Sequence, residues 1–201
     1  MTGAVYTESF AAPPVNKREI LRYALAGEDG DGARELMENC LREAERELSY
    51  RVCYAEFDVK KGEEGTDLGF AVARSSALEK NLGDSTEIVL FAATVGVGID
   101  RLIARYSAVS PSRALMLQAI GTERVESLCD AFCARLAEKK RAEGRRTGVR
   151  FSPGYGDLPL SLQREVISAL DCPKRIGVSL NESLIMSPSK SVTAIVGLHL
   201  L

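Results

Sequence analysis

The sequence predicts an α+β domain in which a twisted, mostly antiparallel sheet is flanked by helices. Three observations carry that expectation. Strand-like and helix-like segments are mixed without the strict strand–helix–strand rhythm of a doubly wound sheet. The segment EIVLFAATVG is dense enough in apolar residues to be a buried strand. The run from Pro111 to Lys140 places Leu115, Ile120, Val125, Leu128, Phe132 and Leu136 at near-helical spacing, as a long packed helix requires. With 201 residues, 45% of them hydrophobic and 27% charged, the chain can bury a sizeable core as one domain without covalent staples.

Taken in order, residues 1–15 read as a lead-in ending at Pro13 and Pro14, and residues 16–201 as the domain. Asn16 is placed to cap a helix carrying Ile20, Leu21, Ala24 and Leu25, closed by Gly27. The linker GEDGDG breaks it, and a second helix puts Leu36, Cys40, Leu41, Ala44 and Leu48 on one face. In YRVCYAEFDV, Val52 and Tyr54 alternate and the phase then slips before Phe57 and Val59, which predicts a strand with a bulge. Strand character returns from Leu68 to Ala73, followed by a short helix ending at Gly83. After the buried strand come helices at about Ile99–Tyr106 and Pro111–Lys140, and RIGVSL and SVTAIVGL read as two further strands.

Composition narrows the function. The 26 basic and 28 acidic residues leave a net charge of −2, which argues against a general nucleic-acid or membrane-surface binder. The local run KKRAEGRRTGVR, from Lys139 to Arg150, reads as a solvated helix end and loop. No stretch has the roughly 20 apolar residues of a membrane span. The N-terminus lacks a basic region ahead of a long apolar run, so a cytoplasmic protein is expected. Five cysteines without a CxxC pair suit reduced thiols better than a disulfide framework.

Two motifs are decoys. VGVG at 95–98 has Arg101 where a dinucleotide loop needs a third small residue, so it reads as a glycine turn between strand and helix. Cys129 and Cys133 share a helix face, but the single histidine, His199, leaves a zinc site short of ligands. That lone imidazole also speaks against a Ser-His-Asp or Cys-His nucleophile.

The informative stretch is RFSPGYGDLPLSLQREVISAL, Arg150 to Leu170. Turn chemistry accounts for Pro153, Gly154 and Gly156. It does not account for Arg150 or Tyr155, which are either bystanders or a ligand grip. Arg150, Gly154 and Tyr155 match an R-x-x-x-G-Y pattern. Downstream, Gly177, Leu180, Glu182, Ser183, Met186, Pro188, Ser191 and Val192 match a second motif in IGVSLNESLIMSPSKSVTAIVG, and upstream LCDAF places an acid at Asp130. In these features, over about residues 125–198, the chain resembles the S-adenosylmethionine-binding reactivation domain of cobalamin-dependent methionine synthase.

The resemblance implies that fold and a site for S-adenosylmethionine formed by Asp130, Arg150, Gly154, Tyr155 and Gly156. Arginine grips a carboxylate through paired donors, an acid offsets the ligand's cations, tyrosine stacks on adenine, and glycine lets backbone approach closely. The chain has no D-x-H-x-x-G cobalt-ligand pattern. The resemblance therefore implies a stand-alone subunit supporting reductive methylation of cobalamin carried by a partner, a methionine synthase or related corrinoid methyltransferase. Flavodoxin or another electron donor would be the third party. Gly156, Asp157, Leu158 and Pro159 stand where the family has Pro-Ala-Cys-Pro. That departure keeps open a second reading, a non-catalytic docking module for a corrinoid protein.

Overall fold

The structure, a computed structural model, describes residues 4–25 and 31–201. It begins with β1 (Tyr6–Phe10), α1 (Lys17–Tyr23), α2 (Asp31–Ala44) and β2 (Tyr50–Asp58). Short strands β3 (Lys60–Gly62), β4 (Gly65–Asp67) and β5 (Val72–Ala73) precede α3 (Ser76–Leu82) and β6 (Glu87–Thr94). Then come α4 (Gly98–Ser107), α5 (Pro111–Ala142), β7 (Arg145–Thr147), α6 (Gln163–Ala169) and α7 (Cys172–Ile176). The chain closes with β8 (Ser179–Leu180), β9 (Met186–Ser187) and β10 (Ser191–Leu200).

The main sheet has the order β1-β2-β6-β10-β7, and every neighbouring pair in it is antiparallel. Side chains alternate strictly between two cores. Val52 and Tyr54 of β2, Phe91 of β6 and Ala194 of β10 face one core, closed by α1, α2, α4 and α5. Cys53, Ala55 and Phe57, with Leu90 and Ile195, face the other, closed by α3, α6 and α7. The α+β architecture expected from the irregular element order is therefore what the chain adopts.

Several local expectations change. The phase slip in β2 is not a bulge, because Arg51 to Asp58 pair with Thr94 to Glu87 residue for residue. Both faces of this inner strand are apolar, which imitates a slip in the sequence. Part of the segment read as a lead-in is structured: β1 forms the sheet edge, with Tyr6 opposite Tyr54. The first helix stops at Tyr23, and Leu25 is exposed in the left-handed region; the expected closing Gly27 lies outside the described residues. Leu48 lies beyond the end of α2, Leu115 points outward from α5, and RIGVSL supplies only the two-residue β8. Among the described residues, no helix is long and apolar enough to cross a membrane.

Candidate ligand-binding site

The site lies where the sheet runs out beyond β7. Gly148 N donates to Gly197 O at 2.8 Å, and Phe151 exchanges two 2.8 Å backbone bonds with Ile195. Arg150 is thus held between two anchors on β10. Its Nη2 donates to Glu126 Oε2 at 2.6 Å and lies 3.3 Å from Asp130 Oδ1. Glu126 and Asp130 stand one turn apart on α5, so both carboxylates reach the same guanidinium. Burial works against the Arg150 charge, but Cys129, Glu126 and Asp130 around it outweigh that and raise its pKa above the ordinary value.

A cavity of about 380 Å³ opens beside this ion cluster, lined among others by Glu126, Arg150, Phe151, Tyr155, Gln163 and Thr193. Arg150 Nη1, Gln163 Oε1 and Thr193 Oγ1 are buried atoms of these residues, and they have no hydrogen-bond partner among the described residues. Buried polar groups are ordinarily satisfied, so this concentration of unfilled capacity distinguishes the cavity. Tyr155 is 68% exposed at its mouth, with its ring 6.5 Å from that of Phe151.

The loop bearing Tyr155 is tightly made. Gly154 N donates to Leu158 O, and Leu158 N to Tyr155 O. Gly154 and Gly156 both have positive φ, and a Cβ on Gly156 would come within 2.8 Å of Ala77 Cβ. Glycine there lets the loop lie against α3. Asp157 completes the attachment: its carboxylate accepts from Ser76 N at 2.8 Å, Ala77 N at 3.1 Å, Ser76 Oγ at 2.7 Å and Ser75 Oγ. These amides are among those a helix leaves without partners at its start. Four such bonds hold the Asp157 carboxyl well below the usual aspartate range.

Of the residues expected at the site, Arg150 and Tyr155 line the cavity. Asp130 touches Arg150 from a largely exposed position, and Gly154 and Gly156 shape the loop without lining it. Sequence reasoning missed Glu126, Gln163, Thr193 and the anchoring by Asp157. Only Glu126 had a local signal, its place one turn before Asp130 on the same helix face.

The other candidates resolve into structure. Cys129 is buried and Cys133 partly buried, burial raises both thiol pKa values, and no group of three potential metal ligands occurs among the described residues. Cys53 and Cys172 meet in the second core with their sulfurs 3.7 Å apart. His199 contacts Asp84 at 2.7 Å and Ser85, whose Oγ is nearly equidistant, at 3.2 and 3.3 Å, from the two ring nitrogens. These contacts tie the end of β10 to the turn between α3 and β6. The VGVG turn packs closely on the preceding chain, and a Cβ on Gly98 would clash with Glu47 O. In the basic run, Lys140 is buried and donates to Glu56 and Glu143 at 2.7 Å, and Arg145 pairs with Glu87, so that run is not simply a solvated face.

Comparison with known proteins agrees with this architecture. No curated protein matches the chain in sequence. Its fold is similar to that in the crystal structure of the MetH reactivation domain bound to AdoHcy, with a TM-score of 0.68 and 16% sequence identity, over 96% of this chain and 78% of that one. The sequence model of the family described as vitamin B12 dependent methionine synthase, activation domain, matches residues 72–200, which include Glu126, Arg150, Tyr155 and all of β10. The chain belongs to the vitamin B12 dependent methionine synthase activation domain family.

Proposed function

We propose that this chain binds S-adenosylmethionine and supports the reductive methylation of a corrinoid held by a partner, a cobalamin-dependent methionine synthase or related methyltransferase. The observation that carries this reading is Arg150, a half-buried guanidinium with an unpartnered Nη1 beside a cavity that an exposed tyrosine overhangs. The residues fit the groups of such a ligand. Arg150 suits the carboxylate, Glu126 and Asp130 provide negative charge for the cations, and Tyr155 with Phe151 provides an aromatic surface for adenine. Family membership supports this choice of ligand.

When bound, S-adenosylmethionine supplies the methyl group, while an external donor such as flavodoxin supplies the electron that the partner's cobalamin requires. The chain's own part is to grip the ligand and fix its direction, so that transfer proceeds from an oriented complex. Arg150 does this by charge and geometry and stays protonated throughout. No proton transfer is asked of it.

Isothermal titration with S-adenosylmethionine tests the reading. Arg150→Ala removes a charge-assisted contact and should weaken binding by roughly 10- to 150-fold. Arg150→Lys should recover part of the loss, because an ammonium lacks the planar two-donor fork. Both variants should keep the fold, since Glu126 and Asp130 remain solvated when their partner is removed. No heat of binding from the parent protein at millimolar ligand would sink the reading. Retained binding to a corrinoid protein would then identify a docking module.

A further inference from the structure

The geometry points to Glu126 as the residue that selects the methylated, sulfonium form of the ligand over its demethylated thioether. The inference rests on the proposed site for S-adenosylmethionine and adds to it a residue and a discrimination.

Arg150 Nη2 lies between two carboxylates, Glu126 at 2.6 Å and Asp130 at 3.3 Å, which makes a negative–positive–negative array between one face of α5 and the segment that follows β7. S-adenosylmethionine offers two cations to such a pair of acids, an ammonium on the carbon that bears the carboxylate and a sulfonium two methylenes away. With the carboxylate on Arg150, each cation falls beside one of the acids. The two acids are not equivalent. Glu126 lines the cavity together with Tyr155 and Phe151, whereas Asp130 lies outside it and is 74% exposed. The adenosine end belongs with the aromatic rings, and the sulfur lies between adenosine and carboxylate. It therefore falls on the Glu126 side, and the ammonium falls toward Asp130.

Methyl donation converts the sulfonium, net +1, into a neutral thioether, while the carboxylate, ammonium and adenine are unchanged. Glu126 gains an attraction to the sulfur only in the methylated form, so the site favours the donor over the spent product. Glu126 also competes with the ligand carboxylate for Arg150. For that reason absolute affinity is a mixed readout, and the ratio of the two affinities isolates the charge at sulfur.

The test is titration of S-adenosylmethionine and S-adenosylhomocysteine into the parent protein, Glu126→Gln and Asp130→Asn, with thermal melts to verify folding. The parent should prefer the sulfonium form by about tenfold, and Glu126→Gln should bring the ratio close to one. Asp130→Asn should weaken both ligands and leave the ratio intact, since the ammonium is common to both. A parent without preference, or a ratio that survives in folded Glu126→Gln, overturns the inference while the proposed function stands. A parent that binds neither ligand at millimolar concentration removes both.

Discussion

Asp157 shows how one side chain positions a loop from a distance. Its carboxylate fastens the Tyr155 loop to the start of α3, a segment some 80 residues earlier in the chain. The bonds it accepts favour the ionised form, so its folded pKa lies below the ordinary 3.8 of an aspartate. A depressed carboxylate contributes stability that is fully present above the unfolded pKa and is lost as pH falls through the folded one. Asp157→Asn should therefore lower the thermal midpoint at neutral pH, and the gap from the parent should narrow as pH drops below about 4. Melts across that range check the sign. Because Asp157 is solvent-exposed, the shift should be small. Local sequence marked this aspartate only as a departure from the family motif, because its partners are set by tertiary folding.

Among elements, the turn from β6 into α4 is the sharpest case of sequence and packing agreeing. VGVG reads as a strand-to-helix turn, and the structure supplies the reason for Gly98, whose Cα approaches the Glu47 backbone closely. A methyl group there would clash with Glu47 O and come within 2.8 Å of Glu47 Cβ. Backbone cannot rotate aside as a flexible side chain can, so Gly98→Ala should destabilise the fold by about 1–3 kcal/mol, read as a lower denaturant midpoint. Strand β2 shows the opposite case. Its apolar residues on both faces suggested a bulge, because periodicity cannot separate a slip in register from burial on two sides. Only its residue-by-residue pairing with β6 decides between them.

At the scale of the whole molecule, a buried ion pair ties the N-terminal segment to the middle of α5. Arg124 on α5 donates to the carbonyls of Pro13 and Pro14 at 2.6 and 2.8 Å and to Glu123, while Glu123 accepts from Asn16 N at 2.9 Å. The two side chains are 1% and 3% exposed. Arg124→Leu would strand the Glu123 charge in the interior and should cost about 3–5 kcal/mol. Adding Glu123→Leu removes that charge but leaves the Pro13 and Pro14 carbonyls and the Asn16 amide without these partners, so it should restore only part of the loss. Chemical denaturation of the single and double variants distinguishes the two outcomes. The pair also explains why a proline-ended segment that reads as a lead-in is bound to the domain: its carbonyls are fastened to a helix more than a hundred residues away. The α+β class, the long helix α5, the strands β6 and β10 and the R-x-x-x-G-Y motif were legible from the order of residues alone. Each rests on local periodicity, turn chemistry or motif spacing, which neighbouring residues carry without help. The edge strand, the unbroken register of β2, the meeting of Glu126 with Arg150 and the hold of Asp157 on α3 were decided only by the tertiary structure. They join residues far apart in the chain, and such pairings exist only once the sheet has brought their backbones together.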